Sequence, residues 1–448
     1  ASRQLVILVI ACFIGLAVCS EPLFVSKYLP NDAATARSLS KVTLGGLTSY
    51  SGYITVNATT NSNMFFWFFP CECANPEEKP VLLWLNGGPG FSSMAGLFEE
   101  NGPFSVDGDG KTLKASPFSW TKLFNVVYID NPVGVGFSFT TSNSGFVTDE
   151  AEVGANLYTT LYQFFEMFES YRAADFYVTG ESYAGKYIPA AAYTIHINNP
   201  KAEKKINLKG ISIGDGMMQP LTQTQGYGTL AFNAGIADYN EMIVIQNYEA
   251  NIKKYILQKE YYKAFLYFDE MINGDFFQYP TYFNNISGTT NYYNIRTPVY
   301  PPNPYGQFLN LETTRDAVHV GGYTFEMQNN TVEKYLINDW MVDVLQFLVP
   351  LMENYKVLIY NGQNDIILSA AVCENFLRQL KWTGQSEYLV AKKKIWKVDP
   401  NDVEVAGFVR KVNNFTQAVV RDAGHLVPQD QPRRAYDMIR RFVNDIEF

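Results

Sequence analysis

Three histidines in a chain of 448 residues leave few side chains able to act as a general base near neutral pH. One of them stands in Asp422-Ala423-Gly424-His425-Leu426-Val427-Pro428, directly after the apolar run Phe415 to Val420. A serine that an imidazole could activate stands in Gly180-Glu181-Ser182-Tyr183-Ala184-Gly185. The run before it, Phe176-Tyr177-Val178-Thr179, is short, aromatic and β-branched and reads as a buried strand, while Ala184 to Ile197 reads as a helix. Gly180 lets the chain turn between them, which puts Ser182 at the apex of a strand-to-helix elbow. A carboxylate, Asp365, closes Asn361-Gly362-Gln363-Asn364-Asp365 just after the strand candidate Val357-Leu358-Ile359-Tyr360. Together these supply a nucleophile, its base, and an acid to fix the imidazole tautomer and stabilise its charged form.

These groups need one sheet to bring them together. Serine, acid and histidine in that chain order, each on a loop at a strand end, is the arrangement of an α/β-hydrolase. The expected fold class is therefore α/β, with a mostly parallel central sheet flanked by helices. Ala184 departs from the G-x-S-x-G pattern, although Gly185 follows at once. Asp215, after the strand candidate Lys209 to Ile213, is a rival acid. His196 falls within the helix after the serine and His319 precedes Gly321-Gly322 away from strand ends, so both are expected to pack or face solvent. The strand candidate Pro80 to Leu85 runs into Asn86-Gly87-Gly88-Pro89-Gly90, whose glycines let amides turn toward an oxyanion, or merely form a tight turn. No His-x-x-Glu or Glu-x-x-His spacing occurs, and Cys71-x-Cys73 has no neighbouring histidine, so no metal site is expected.

Several longer motifs then fall into a pattern. Asn86 to Gly90, Glu100-Asn101-Gly102-Pro103, Asp130-Asn131-Pro132-Val133-Gly134-Val135-Gly136-Phe137-Ser138, the Ser182 elbow and Gly424-His425 together resemble the serine carboxypeptidase family over most of the chain. Asn63 to Pro70, Val357 to Gln363, and Ile395-Trp396-Lys397 with Glu404-Val405-Ala406-Gly407 resemble its vitellogenic-like branch. The resemblance implies a serine-type carboxypeptidase that needs no cofactor and removes C-terminal amino acids from peptides or proteins through an acyl-enzyme. It implies a Ser182, Asp365, His425 triad, an oxyanion hole from the amides of Gly88 and Tyr183, and a grip on the substrate carboxylate by Asn86, Glu100 and Glu181. Glu99 takes the place of Glu100 if the loop register differs by one. Two adjoining glutamates cannot both ionise cheaply, so a shared proton and a preference for acid pH are expected. Phe91 stands where many members carry a disulfide-bonded cysteine, so the loop must be braced differently here. Gln363 replaces a frequent aspartate and Leu426 a frequent methionine, the latter bearing on the leaving-residue pocket. An acyltransferase using the same triad, and a secretory binding or protective protein that keeps only the fold, are the rival readings.

Leu5 to Val18 is apolar, follows Arg3 and ends near Ala17-Val18-Cys19, so residues 1–19 read as a signal peptide. Sequons at Asn57, Asn285, Asn329 and Asn414 agree with a glycosylated, secreted or lysosomal product. A net charge of -9 argues against nucleic acid or anionic membrane surfaces as partners, and association into a homodimer is left open. Cys71 and Cys73 look too close in sequence to bridge comfortably; either one pairs with Cys373 or the three thiols are free. Since Ser182 and His425 must meet, one hydrolase core over residues 20–218 and 340–448 is expected, interrupted by a cap insertion over 219–339 and closed by an amphipathic helix from Arg433 to Asn444. The aromatic clusters of that insertion, such as Tyr292-Tyr293, are expected mainly to pack.

Overall fold

Runs of β-branched and aromatic residues form strands where both faces can be covered. The computed structural model describes residues 21–276, 279–300 and 303–448, so the signal peptide expected over 1–19, with Cys12 and Cys19, lies outside the described residues. In chain order the strands are β1 (Lys41–Leu44), β2 (Leu47–Asn57), β3 (Ser62–Phe69), β4 (Val81–Leu85), β5 (Phe104–Val106), β6 (Leu113–Ala115) and β7 (Asn125–Ile129). They continue with β8 (Phe176–Glu181), β9 (Leu208–Gly214), β10 (Lys356–Gly362), β11 (Lys394–Trp396), β12 (Gly407–Val412) and β13 (Phe415–Val420). β5 and β6 pair as a hairpin, and the rest form one sheet in the order β1-β2-β3-β7-β4-β8-β9-β10-β13-β12-β11. From β7 to β13 neighbouring strands are parallel. Antiparallel strands extend the sheet on both sides.

Alternation along each strand divides the apolar residues between two cores. In β4, Val81, Leu83 and Leu85 enter one core, while Leu82 and Trp84 enter the other. Helices Glu150–Met167, Ala184–Asn198 and Leu345–Asn354 cover the first face through residues such as Val153, Ile188 and Leu348. The second face is closed by helix Pro432–Val443, through Met438 and Phe442. Parallel strands point their C-terminal ends at one edge of the sheet, where ligands of open α/β sheets bind. The loops leaving β4, β8, β9, β10 and β13 therefore share that edge, and they carry Asn86, Ser182, Asp215, Asp365 and His425.

Between β9 and β10 the described residues form helices and loops without a strand. Helix Tyr239–Leu257 opens with a capping box between Asp238 and Glu241. Phe265, Phe268 and Met271 pack into the first core, whereas Tyr305, Phe308 and Phe325 pack into the second. The intervening chain thus reaches both faces of the sheet.

Cys71 and Cys73 are joined by a disulfide, which corrects the expectation that they lie too close to bridge. The Cys71 amide donates to Asn125 Oδ1 and the Glu72 amide to the Thr121 carbonyl, and the bend brings the two Cα atoms to 5.2 Å, within bridging range. Cys373 is a buried free thiol on helix Ala370–Gln379.

Candidate active site

Ser182 follows β8 directly and precedes helix Ala184–Asn198, and its φ of 63° lies in the left-handed region that is costly for a residue with a side chain. Three backbone hydrogen bonds hold it there. The Ser182 amide donates to the Gly214 carbonyl (2.9 Å), and the Ser182 carbonyl accepts from the amides of Gly185 (2.9 Å) and Met217 (3.1 Å). The serine side chain is thereby raised above the sheet edge into a cavity of about 320 Å³ that His425 also lines.

Asp365 and His425 are both buried and meet at 2.9 Å, Oδ2 to Nδ1. Asp365 also accepts from the amides of Ile367 (3.0 Å) and Leu368 (3.2 Å). An ionised carboxylate only accepts, so Nδ1 carries the imidazole proton and Nε2 is left with its lone pair. Nε2 is buried and has no hydrogen-bond partner. No hydrogen bond joins Nε2 to the Ser182 hydroxyl here; contacts of this kind often tighten only when substrate arrives. The imidazole lies 5.0 Å from the ring centre of Tyr293, and the His425 amide donates to the Tyr293 carbonyl (2.7 Å). Asp215 does not contact Nδ1 as a rival acid would; it sits behind Asp365. The other histidines are occupied elsewhere, His196 Nδ1 with Tyr355 Oη (2.9 Å) and His319 Nδ1 with Ser51 Oγ (3.3 Å).

Asn86, Glu100 and Glu181 converge on the same cavity. Asn86 Nδ2 donates to Glu100 Oε1 (2.9 Å) and to Glu181 Oε1 (3.2 Å). Its Oδ1 is held from behind by Trp84 Nε1 (2.8 Å) and the Gly96 amide (2.9 Å), so the orientation of the amide is fixed. Gly96 must be glycine, because a Cβ there would lie 2.0 Å from Trp84 Nε1. It begins a single π-helical turn, Gly96–Glu100, a form that recurs at functional sites. That turn brings both Glu99 and Glu100 to the cavity, but it is Glu100 that bonds to Asn86. Burial pushes Glu100 up to about 7 against the opposing hydrogen bonds from Glu181 and Asn86. Burial, and then the charge of Glu100, push Glu181 well above the ordinary carboxyl range. Both shifts act against the two carboxyls ionising together.

The loop after β4 lies against the elbow so closely that a Cβ on Gly87 would be 2.3 Å from the Tyr183 amide nitrogen and 2.9 Å from Ser182 Cβ. Tyr183 caps the helix that follows, where amides lack partners within the helix and can receive an anion. The brace that Phe91 cannot supply as a cysteine comes from hydrogen bonds. Asp130 Oδ1 accepts from Ser92 Oγ (2.5 Å) and the Ser93 amide (3.2 Å), the Ser92 amide donates to the Met327 carbonyl (2.9 Å), and the Asn329 amide donates to the Gly90 carbonyl (2.9 Å).

Trp84, Asp130 and Tyr293 thus support the site, though the sequence reading gave them no such part. Asp130 opens the motif Asp130 to Ser138, which is a visible cue. Trp84 read only as a strand residue and Tyr293 only as packing, since nothing local tells an indole or phenol that holds a reactive group from one that fills space. Of the sequons, Asn57, Asn285 and Asn414 are exposed; Asn329 is half-buried, with Nδ2 donating to the Gly134 carbonyl (2.8 Å).

A mostly parallel sheet, a strained serine at a strand-to-helix elbow and a buried aspartate–imidazole pair define a hydrolase of the α/β-hydrolase class. The model of the serine carboxypeptidase family matches residues 42–445, and the chain belongs to that family. It is 45% identical over 431 residues to the probable serine carboxypeptidase CPVL of Homo sapiens, covering 94% of this chain and 90% of that one. The venom serine carboxypeptidase of Apis mellifera is 43% identical over 434 residues (95% and 92%), and the vitellogenic carboxypeptidase of Aedes aegypti 38% over 433 residues (95% and 90%). In fold it resembles a prohormone-processing carboxypeptidase of Saccharomyces cerevisiae, with a TM-score of 0.77 at 24% identity over 91% of this chain and 96% of that one. The chain is a serine carboxypeptidase, and its relatives include the vitellogenic-like branch that its motifs resemble.

Proposed function

We propose that the protein removes amino acids one at a time from free peptide C-termini, with Ser182 as nucleophile, His425 as its base and Asp365 as the group that fixes the imidazole. Ser182 attacks the last peptide carbonyl while His425 Nε2 takes its proton, and the amides of Gly88 and Tyr183 receive the developing oxyanion. His425 then protonates the departing amine, and water, activated by the same nitrogen, hydrolyses the acyl-enzyme. Asn86, Glu100 and Glu181 grip the terminal carboxylate.

The observation that carries this reading is the carboxyl pair beside the serine. Below about pH 7 both Glu100 and Glu181 hold protons and can donate to a substrate carboxylate; above it Glu100 becomes an anion and repels one. Peptide turnover is thus best at acid pH. For free-ended peptides KM should rise as pH passes through about 7, whereas ester substrates without a carboxylate should show no such rise. Glu100→Gln should flatten the peptide profile. A peptide panel with free and amidated ends, read by mass spectrometry across pH, tests it; internal cuts, or equal trimming of amidated peptides, overturn it.

The acyltransferase and purely binding alternatives are not favoured by any particular contact. The disulfide and three exposed sequons support passage through the secretory pathway to a secreted or lysosomal destination. Among the described residues no helix is long and apolar enough to cross a membrane.

A further inference from the structure

Behind the imidazole lies a second buried acid. Asp215 follows β9 and Asp365 follows β10, and these strands are parallel neighbours. Asp215 is 0% exposed and Asp365 and His425 are each 1% exposed, with side-chain atoms of the three within 4.8 Å of one another. Asp215 Oδ1 accepts from the Gly362 amide (2.9 Å) and from Asn361 Nδ2 (3.4 Å). Its Oδ2 receives no donor. Asp365 takes its donors from His425 Nδ1 and from the amides of Ile367 and Leu368. Each carboxyl thus has donors of its own, and of the four oxygens Asp215 Oδ2 is the one left without any.

The surroundings supply no other remedy. The titratable groups that face Asp215 are Asp365 and His425, Glu181 from β8, Tyr360 from β10 and Cys373 from helix Ala370–Gln379. None of these is a fixed cation; the imidazole gains a charge only as it takes the serine proton. Two adjoining anions in so dry a place would be strongly unfavourable, and the ordinary resolution is for one to stay neutral. Burial, and then the charge of Asp365, act on Asp215 in that sense.

We propose that Asp215 is a positioning residue that keeps its proton throughout the reaction and donates a hydrogen bond from Oδ2 to the carboxylate of Asp365. The proposal rests on the reading of Asp365 and His425 as acid and base. The extra donor pins the carboxylate in the orientation that serves Nδ1. It also holds the pair at a single negative charge, matched to the one positive charge of the imidazolium. Were Asp215 ionised, a second anion would over-stabilise the imidazolium, and His425 would lose its readiness to accept the Ser182 proton.

The test uses an ester substrate, which bypasses recognition of the terminal carboxylate, together with infrared difference spectra near neutral pH. Asp215→Asn keeps a donor in place and Asp215→Ala removes it. Asp215→Ala should lower kcat about tenfold or more with KM little changed, as expected for a lost hydrogen bond to a charged group, and Asp215→Asn should recover most of that loss. The spectrum of wild type minus Asp215→Asn should contain the carbonyl stretch of a protonated carboxylic acid. A pair of carboxylate bands in its place overturns the proposal, as does an asparagine variant no better than alanine. The spectrum requires only a folded asparagine variant, so a poorly folded alanine variant leaves the test intact. Continued ester cleavage by Ser182→Ala would instead refute the triad reading itself. Loss of cleavage in Ser182→Ala with wild-type kinetics in both Asp215 variants would refute only the role of Asp215.

Discussion

Gly87 shows how little room the chemistry leaves at single positions. A methyl group on its Cα would lie 2.3 Å from the Tyr183 amide nitrogen, in the space where the proposed mechanism puts the oxyanion. Gly87→Ala should therefore reduce kcat by about 100-fold or more, the scale of losing an oxyanion donor, with a much smaller change in KM. Steady-state kinetics on an ester, with circular dichroism to confirm folding, check this. The glycine-rich run read in the sequence as an oxyanion loop or a tight turn, and the glycine that packs against the Tyr183 amide is Gly87, next to Gly88, the expected donor. A run of glycines says that backbones approach closely; which one faces the other loop is settled only by packing.

At the scale of elements, the segment around Tyr293 ties together the two loops that carry the acid and the base. The Ile366 amide donates to the Tyr292 carbonyl (3.1 Å), the His425 amide to the Tyr293 carbonyl (2.7 Å) and the Ile295 amide to the Asn364 carbonyl (3.0 Å). Asn294 secures the segment, with Nδ2 donating to Asp430 Oδ2 (2.8 Å) and Oδ1 accepting from the Arg296 amide (2.9 Å). The same Asp430 oxygen accepts from the amide of Gly424, beside the histidine (2.6 Å). Asn294→Ala should lower kcat by up to about thirtyfold, because two hydrogen bonds that hold this segment are lost, each worth about 1 kcal/mol. A matching rise in cleavage near residue 294 under limited proteolysis would identify the loosened segment. The strands and the elbow were legible because their apolar runs and glycine punctuation are local. This segment was not: its polar and aromatic composition suits any surface loop, and its role comes entirely from partners more than sixty residues away in sequence. The bend that joins Cys71 to Cys73 was hidden for the same reason, being set by Thr121 and Asn125.

For the whole molecule, the buried acids govern how stability responds to pH. Burial pushes Glu99 up to about 8, Glu333 to about 9 and Asp130 to about 7, alongside Glu100 at about 7. Acids whose folded pKa exceeds the unfolded one favour the native state while protonated, so their contribution is complete below the ordinary carboxyl range and is lost as pH rises through 7 to 9. The melting temperature should therefore be higher at pH 5 than at pH 8. A scan by differential scanning calorimetry checks this, and substituting glutamine at Glu333 should shrink the difference.

The order of the strands also has a kinetic meaning. Within the sheet β13 lies between β10 and β12, so one edge of β10 is covered only by the C-terminal hairpin, and His425 sits on the loop that leaves it. The Ser182 elbow belongs to strands earlier in the polypeptide, while His425 follows the last strand of the sheet. If Ser182 and His425 act together as proposed, a molecule whose C-terminal hairpin has not docked should be unable to trim its neighbours, and regain of esterase turnover on dilution from denaturant should trail the recovery of far-ultraviolet dichroism.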